Sequence, residues 1–278
     1  LASLSQREYA AINYTVKPRN FKGTIEFISE IDANVSFEGH NQLQDIKFGD
    51  RNGRIIYVTS RTEEEDALCI TEVAGHDLYK NNKLMPCNGL NEIKEGKIAH
   101  KMQVEIDQND VVSLEKLVCI FTSQDADIGL VSEEVEGHAI NKIKKSPSFF
   151  ELSQAQVLEM NELWRCSGIN IKGNGTHYMQ KWLDYVVWLL NQLVHANGLA
   201  NIGARVFGLV YRWHCFWDTE MHMLLFYIYT NPKAARALLE NRFLSLNGAR
   251  KRLIEDTKEN GGPLYEGAAR FPWEGTAP

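Results

Sequence analysis

The chain has 278 residues, enough for one large domain or two ordinary ones with a sizeable core. At 44% apolar and 24% charged residues it excludes a disordered chain, and a formal net charge of −6 argues against nucleic acid as a partner, which needs a basic surface. The most apolar stretch, residues 221–229, is about half of what a bilayer crossing needs, so no membrane span is expected.

Five scattered cysteines (Cys69, Cys87, Cys119, Cys166, Cys215) form no CxxC pair. Reduced thiols in a cytoplasmic protein are therefore expected, not a zinc site or a disulfide framework. The sequons at Asn13, Asn34 and Asn174 carry little weight without a secretory signal. The sequence opens on "LASLSQREYAAINYTV" without a methionine and stops at "FPWEGTAP", which leads us to expect an internal piece of a longer protein.

From Tyr9 to about Asp127 the pattern alternates with a period of two. "YAAINYTVKP", "GTIEFISEIDANVSF", "GRIIYVTSRT", "DALCITEV", "KIAHKMQVEI" and "EKLVCIFTSQ" are rich in Val, Ile, Tyr, Phe and Thr. Turn residues at 18–20, 49–53 and 88–89 separate them, and strands at this spacing predict an antiparallel β-sandwich. The acidic run "RTEEED" (61–66) reads as a solvated face.

After Ser146-Pro147 the period becomes helical. "SFFELSQAQVLEMNELWRCSG" has Ser148 or Ser153 as a cap, and "HYMQKWLDYVVWLLNQLVHANG" is apolar nearly all round, which predicts a buried helix ending at Asn197-Gly198. "TEMHMLLFYIYT" and the segment opening on Asn231-Pro232 supply two or three more helices, with Asn231 as N-cap and Pro232 at the first helical position. Strands followed by helices predict an α+β multidomain chain with segregated parts rather than a βαβ sheet.

Two tryptophan–acid pairs stand out. "FWDTE" sets Trp217 beside Asp218, with Glu220 two residues on, and "FPWEG" sets Trp273 beside Glu274. A sugar presents C–H faces that stack on aromatic rings and hydroxyls that a carboxylate binds in pairs, so such a pair supplies both halves of a sugar site. The alternative is structural: Asp218 caps the following helix and the indole is buried. His214 and His222 flank the motif without HExxH spacing, so no metal is expected. "NIGARVFG" (201–208) lacks a GxGxxG fingerprint.

Taken in order, "LWRCSGINIKGN" (163–174), "NIGARVFG", "HCFWDTEMHMLLFYIYTNPKAARALLENRFLSLNGAR" (214–250), "KENGG" (258–262) and "ARFPWEGTAP" (269–278) resemble glycoside hydrolase family 65. That family includes maltose, kojibiose, nigerose and trehalose phosphorylases and related α-glucoside hydrolases. The opening 35 residues resemble its N-terminal β-sandwich. The resemblance implies a partial sandwich (1–146), a helical linker (147–178) and the first part of an (α/α)6 barrel (179–278). It implies inverting phosphorolysis of an α-glucoside to β-glucose 1-phosphate, with a disaccharide and inorganic phosphate as substrates, no cofactor and a homodimer. By position, Trp217, Asp218, Trp273 and Glu274 would bind the glucosyl ring, with Glu220 and His214 behind them. The catalytic general acid and the phosphate-binding residues of the family lie beyond Pro278.

The chain departs from the family at "GLVYRWH" (208–214), where a Gly-Glu-Gly-Tyr-x-Gly-His run is usual, and at "LDYVV" (183–187), where Arg-Phe-Asn is usual. The segment between 250 and 271 is also longer. Two other readings follow: a hydrolase of the same fold that uses water, and an inactive carbohydrate-binding or interaction protein.

Overall fold

A computed structural model describes residues 1–37, 39–63, 67–87, 89–125, 132–193, 214–263, 265 and 267–275. The chain divides into two compact units, Leu1–Glu159 and Met160–Pro278.

Among the described residues the first unit has eleven strands: β1 (Tyr9–Val16), β2 (Gly23–Asp32), β3 (Ser36–Phe37), β4 (His40–Asn41), β5 (Leu43–Arg51), β6 (Ile55–Thr62), β7 (Cys69–Lys80), β8 (Lys83–Met85), β9 (Leu90–Lys94), β10 (Lys97–Ile106) and β11 (Val112–Thr122). The large sheet runs β1-β11-β7-β6-β5 with β8 on β7, and the small one runs β2-β10-β9. Every pairing between them is antiparallel. Tight hairpins close the neighbours. Asn52 and Gly53, Asn81 and Asn82, and Glu95 and Gly96 all take positive φ, the paired left-handed conformation that matches strand twist.

Burial follows the pleat. On β2, Phe27, Ser29 and Ile31 are buried while Ile28, Glu30 and Asp32 are exposed; on β10, Met102, Val104 and Ile106 are buried while Gln103 and Glu105 are not. Their inward sides meet Leu78, Val112 and Leu114 of the large sheet, and Ile31 and Ile98 meet Ile56, Val58 and Ala74. Strand β6 breaks the alternation, with all six residues from Ile55 to Ser60 buried. The cause is helix α1 (Ser132–Lys144), which lays Val135, Ala139, Ile140 and Ile143 on the outer face of the large sheet, against Tyr9, Tyr57, Val73 and Cys119. The antiparallel sandwich is as the alternation predicts. Helix α1 and the polar edge strand β5 were not among the elements expected.

Helix α2 (Phe149–Ser167) carries the division between the units. Its start is a capping box. Ser148 N–H and Oγ–H both donate to Glu151 Oε2 at 2.8 Å, and Glu151 N–H donates back to Ser148 Oγ at 3.3 Å. Of the two serines proposed for the cap, Ser148 is the one used.

The second unit continues with α3 (His177–Leu193), α4 (Leu224–Thr230), α5 (Pro232–Leu244) and α6 (Leu246–Asn260). Asn231 caps α5 as expected, its side chain accepting from Ala234 N–H at 3.2 Å with Pro232 at the first turn. Buried Tyr227 of α4 donates its hydroxyl to Leu190 C=O of α3 at 2.7 Å. Helix α3 departs from expectation. Val187 and Asn191 are buried, but Tyr178, Met179, Trp182 and Tyr185 are exposed, Tyr178 at 80%. The stop at Asn197-Gly198, the segments "NIGARVFG" and "GLVYRWH" up to His214, and residues 64–66 of the acidic run lie outside the described residues. No helix is long and apolar enough to cross a membrane among the described residues.

Candidate sugar site

The two tryptophan–acid motifs stand 56 residues apart in sequence and are joined by backbone. Strand β12 (Cys215–Phe216) pairs antiparallel with β13 (Glu274–Gly275), setting Phe216 opposite Glu274 and Cys215 opposite Gly275. Buried Phe216 meets the Trp273 ring edge-on at a centroid distance of 4.8 Å. Trp273 is thereby held on one side while more than half of it stays exposed.

Immediately after β12 the chain turns through Trp217 and Asp218 into a π-helical turn, Thr219–Met223, closed by Leu224 N–H donating to Thr219 C=O. Such wide turns recur at functional sites because the extra residue re-aims its neighbours. Asp218 has helical φ and ψ, and its side chain makes no capping hydrogen bond. Trp217 is 47% exposed. The structural alternative required a side-chain cap and a buried indole, and neither is formed. Instead Trp217 and Asp218 meet solvent next to the ladder that carries Trp273 and Glu274.

The remaining two residues have distinct partners. His214 Nδ1 donates to Glu274 Oε1 at 2.6 Å, with both side chains partly exposed. Glu220 accepts two hydrogen bonds from Arg242 of α5, at 2.9 and 3.1 Å, in a mostly buried bidentate pair. Glu220 therefore anchors the π-helical turn to α5. Arg242 went unread in the sequence, because a partner 22 residues away on another helix leaves no local pattern.

The arrangement thus offers two exposed indoles and two carboxylates, one of them already fixed by a histidine. Among the described residues no group of three His, Cys, Asp or Glu side chains is placed to hold a metal. A hollow of about 490 Å³ in this unit, lined by Leu244, Gly248, Lys251, Glu255 and Pro272 among others, includes none of the four proposed ring-binding residues.

The profile of the glycosyl hydrolase family 65 N-terminal domain matches residues 1–163, and that of the family 65 central catalytic domain matches residues 184–278. The chain belongs to glycosyl hydrolase family 65. Among its family 65 relatives, an α,α-trehalose phosphorylase from Thermoanaerobacter brockii is 28% identical over 98% of the chain, and a kojibiose phosphorylase from the same organism is 30% identical over 98%. The chain spans about a third of the length of these relatives, 35% of each. A solved structure assigned as a kojibiose phosphorylase from the human microbiome superposes with a TM-score of 0.78 over 92% of this chain and 33% of its own, at 22% identity. The α+β class, an antiparallel β-sheet domain followed by helices, is that of this neighbour.

Proposed function

We propose that the protein to which this chain belongs is an inverting α-glucoside phosphorylase, and that Trp217, Asp218, Trp273 and Glu274 bind the transferred glucosyl ring. The observation that carries the reading is the β12–β13 ladder, which brings two tryptophan–acid pairs together with exposed rings. In this reading residues 1–146 are sandwich, 147–178 linker, and 179–278 the first part of an (α/α)6 barrel.

The chemistry follows from the nucleophile. A glutamic acid beyond Pro278 protonates the glycosidic oxygen as the C1–O bond breaks, and a phosphate oxygen attacks C1 from the opposite face. Phosphate is already an anion, so no general base is needed, whereas a hydrolase needs a second carboxylate to activate water. The product is β-glucose 1-phosphate, formed without a cofactor. We place the protein in the cytoplasm, in keeping with five scattered cysteines that form no CxxC pair, and as a homodimer, in keeping with the family resemblance.

The test is incubation of the full-length protein with trehalose, kojibiose, nigerose and maltose, with and without inorganic phosphate. Glucose 1-phosphate from one of them, formed only with phosphate, is the expected result. Free glucose at equal rates without phosphate would make it a hydrolase, and glucose binding without turnover would make it a binding protein. The 278 residues alone should give no turnover; a robust rate would overturn the placement of the general acid.

A further inference from the structure

His214 is not one of the ring-contacting residues of the proposed site, yet it makes a short polar contact with one of them, Glu274. It lies two residues before Phe216, so the period of a strand puts both on one side, and Phe216 stands directly opposite Glu274. His214 is thus the diagonal cross-strand neighbour of Glu274, a spacing that a long side chain spans. Its Nδ1 reaches Oε1 at 2.6 Å, while the carboxylate remains 42% exposed.

We propose that His214 is the positioning residue for Glu274: it fixes Oε1 so that the carboxylate presents Oε2 to a sugar hydroxyl. The proposal rests on the reading of Glu274 as a sugar-binding residue. A glutamate has three side-chain torsions, and freezing them each time a sugar binds weakens binding. A bond made before the ligand arrives removes that cost. A carboxylate oxygen only accepts, so the bond requires the proton on Nδ1, which fixes the tautomer of a neutral imidazole.

The experiment is glucose titration of the full-length protein, read by calorimetry, for wild type, His214→Ala, His214→Asn, Glu274→Ala and the double variant His214→Ala/Glu274→Ala. Asparagine places an amide N–H where Nδ1–H stands. His214→Ala should weaken glucose binding about tenfold, equivalent to one hydrogen bond of modest strength, and His214→Asn should recover most of the loss. In the Glu274→Ala background, removing His214 should change nothing further. A merely structural role would give additive losses and no rescue by asparagine, and that result would overturn the proposal. So would wild-type and His214→Ala proteins binding equally. If His214→Ala does not fold, the comparison of His214→Asn with wild type decides: near-equal affinity is required, and a tenfold loss sinks the assignment. Wild-type protein that binds no glucose would overturn the sugar-site reading and this inference together.

Discussion

Asp218 is the residue on which the sugar reading most directly depends. It is exposed, makes no capping bond and follows an exposed indole, so its carboxylate is open to hydroxyls at no cost to the fold. Asp218→Ala should therefore abolish the thermal protection that glucose gives the full-length protein while leaving the unliganded melting temperature within about 2 °C, since surface changes away from caps and cores are nearly neutral. Glu159→Ala, an exposed change on α2, is the control and should keep full protection. Equal protection in both would return Asp218 to a bystander role. The tryptophan–acid pairs were legible in the sequence because two chemically demanding residues side by side are rare. Their meeting was not, because a two-residue ladder between positions 216 and 274 leaves no periodicity to read. The His214–Glu274 and Arg242–Glu220 pairs were hidden for the same reason.

At the scale of elements, local signals were read where they were self-contained. The Ser148/Glu151 box is four residues of sequence and forms as written, with the hydrogen bonds from Ser148 holding the Glu151 carboxyl below its usual range. Ser148→Ala should lower stability by about 1 kcal/mol in urea denaturation, the ordinary worth of an N-cap side chain. A change below about 0.3 kcal/mol would mean that packing of buried Leu152 alone holds the helix start. The long β-branched runs likewise became β1, β2, β6, β7, β10 and β11. Strand β5 escaped because "LQDIKFGDR" is largely polar and sits at a sheet edge, where one flank needs no apolar cover. Helix α1 has only Val135, Ala139, Ile140 and Ile143 on its buried stripe, a weak pattern that gains meaning from the sheet beneath it. Helix α3 shows the converse limit. Periodicity reports which side chains favour cover, not which element supplies it, so a helix apolar nearly all round still exposes Trp182 and Tyr185.

At the scale of the molecule, the first unit's two sheets are joined not only by apolar packing but by a polar clasp. His76 on the large sheet is fully buried; its Nε2 lies 2.8 Å from Ser29 Oγ on the small sheet and its Nδ1 2.9 Å from Arg54 C=O. The ring of buried His100, on the small sheet, sits 4.8 Å away, and His100 Nδ1 lies 2.6 Å from Asn91 Oδ1. Burial drives the His76 pKa down to about 3; the Arg54 carbonyl opposes this, and the neighbouring His100, Lys116 and Arg54 charges add to it. His100 is lowered as well, again chiefly by burial. The direction fixes the pH dependence. The unfolded chain takes up these protons near pH 6.5 and the folded sandwich does not, so stability is complete above about pH 6.5 and falls as pH drops toward about 3. Acid should therefore loosen the sandwich at its inter-sheet seam, with this pair contributing to the loss. His76→Gln keeps a donor and an acceptor without the titration. It should be less stable than wild type at pH 7.5, and the difference should shrink steadily at pH 5.5 and 4.5 in urea denaturation. Carboxylates that favour the folded state, such as Asp32 and Asp110 with their lowered pKa values, titrate alike in both proteins and cancel from that difference. A gap between the two proteins that stays constant from pH 7.5 to 4.5 would show that protonation of His76 does not govern the acid response.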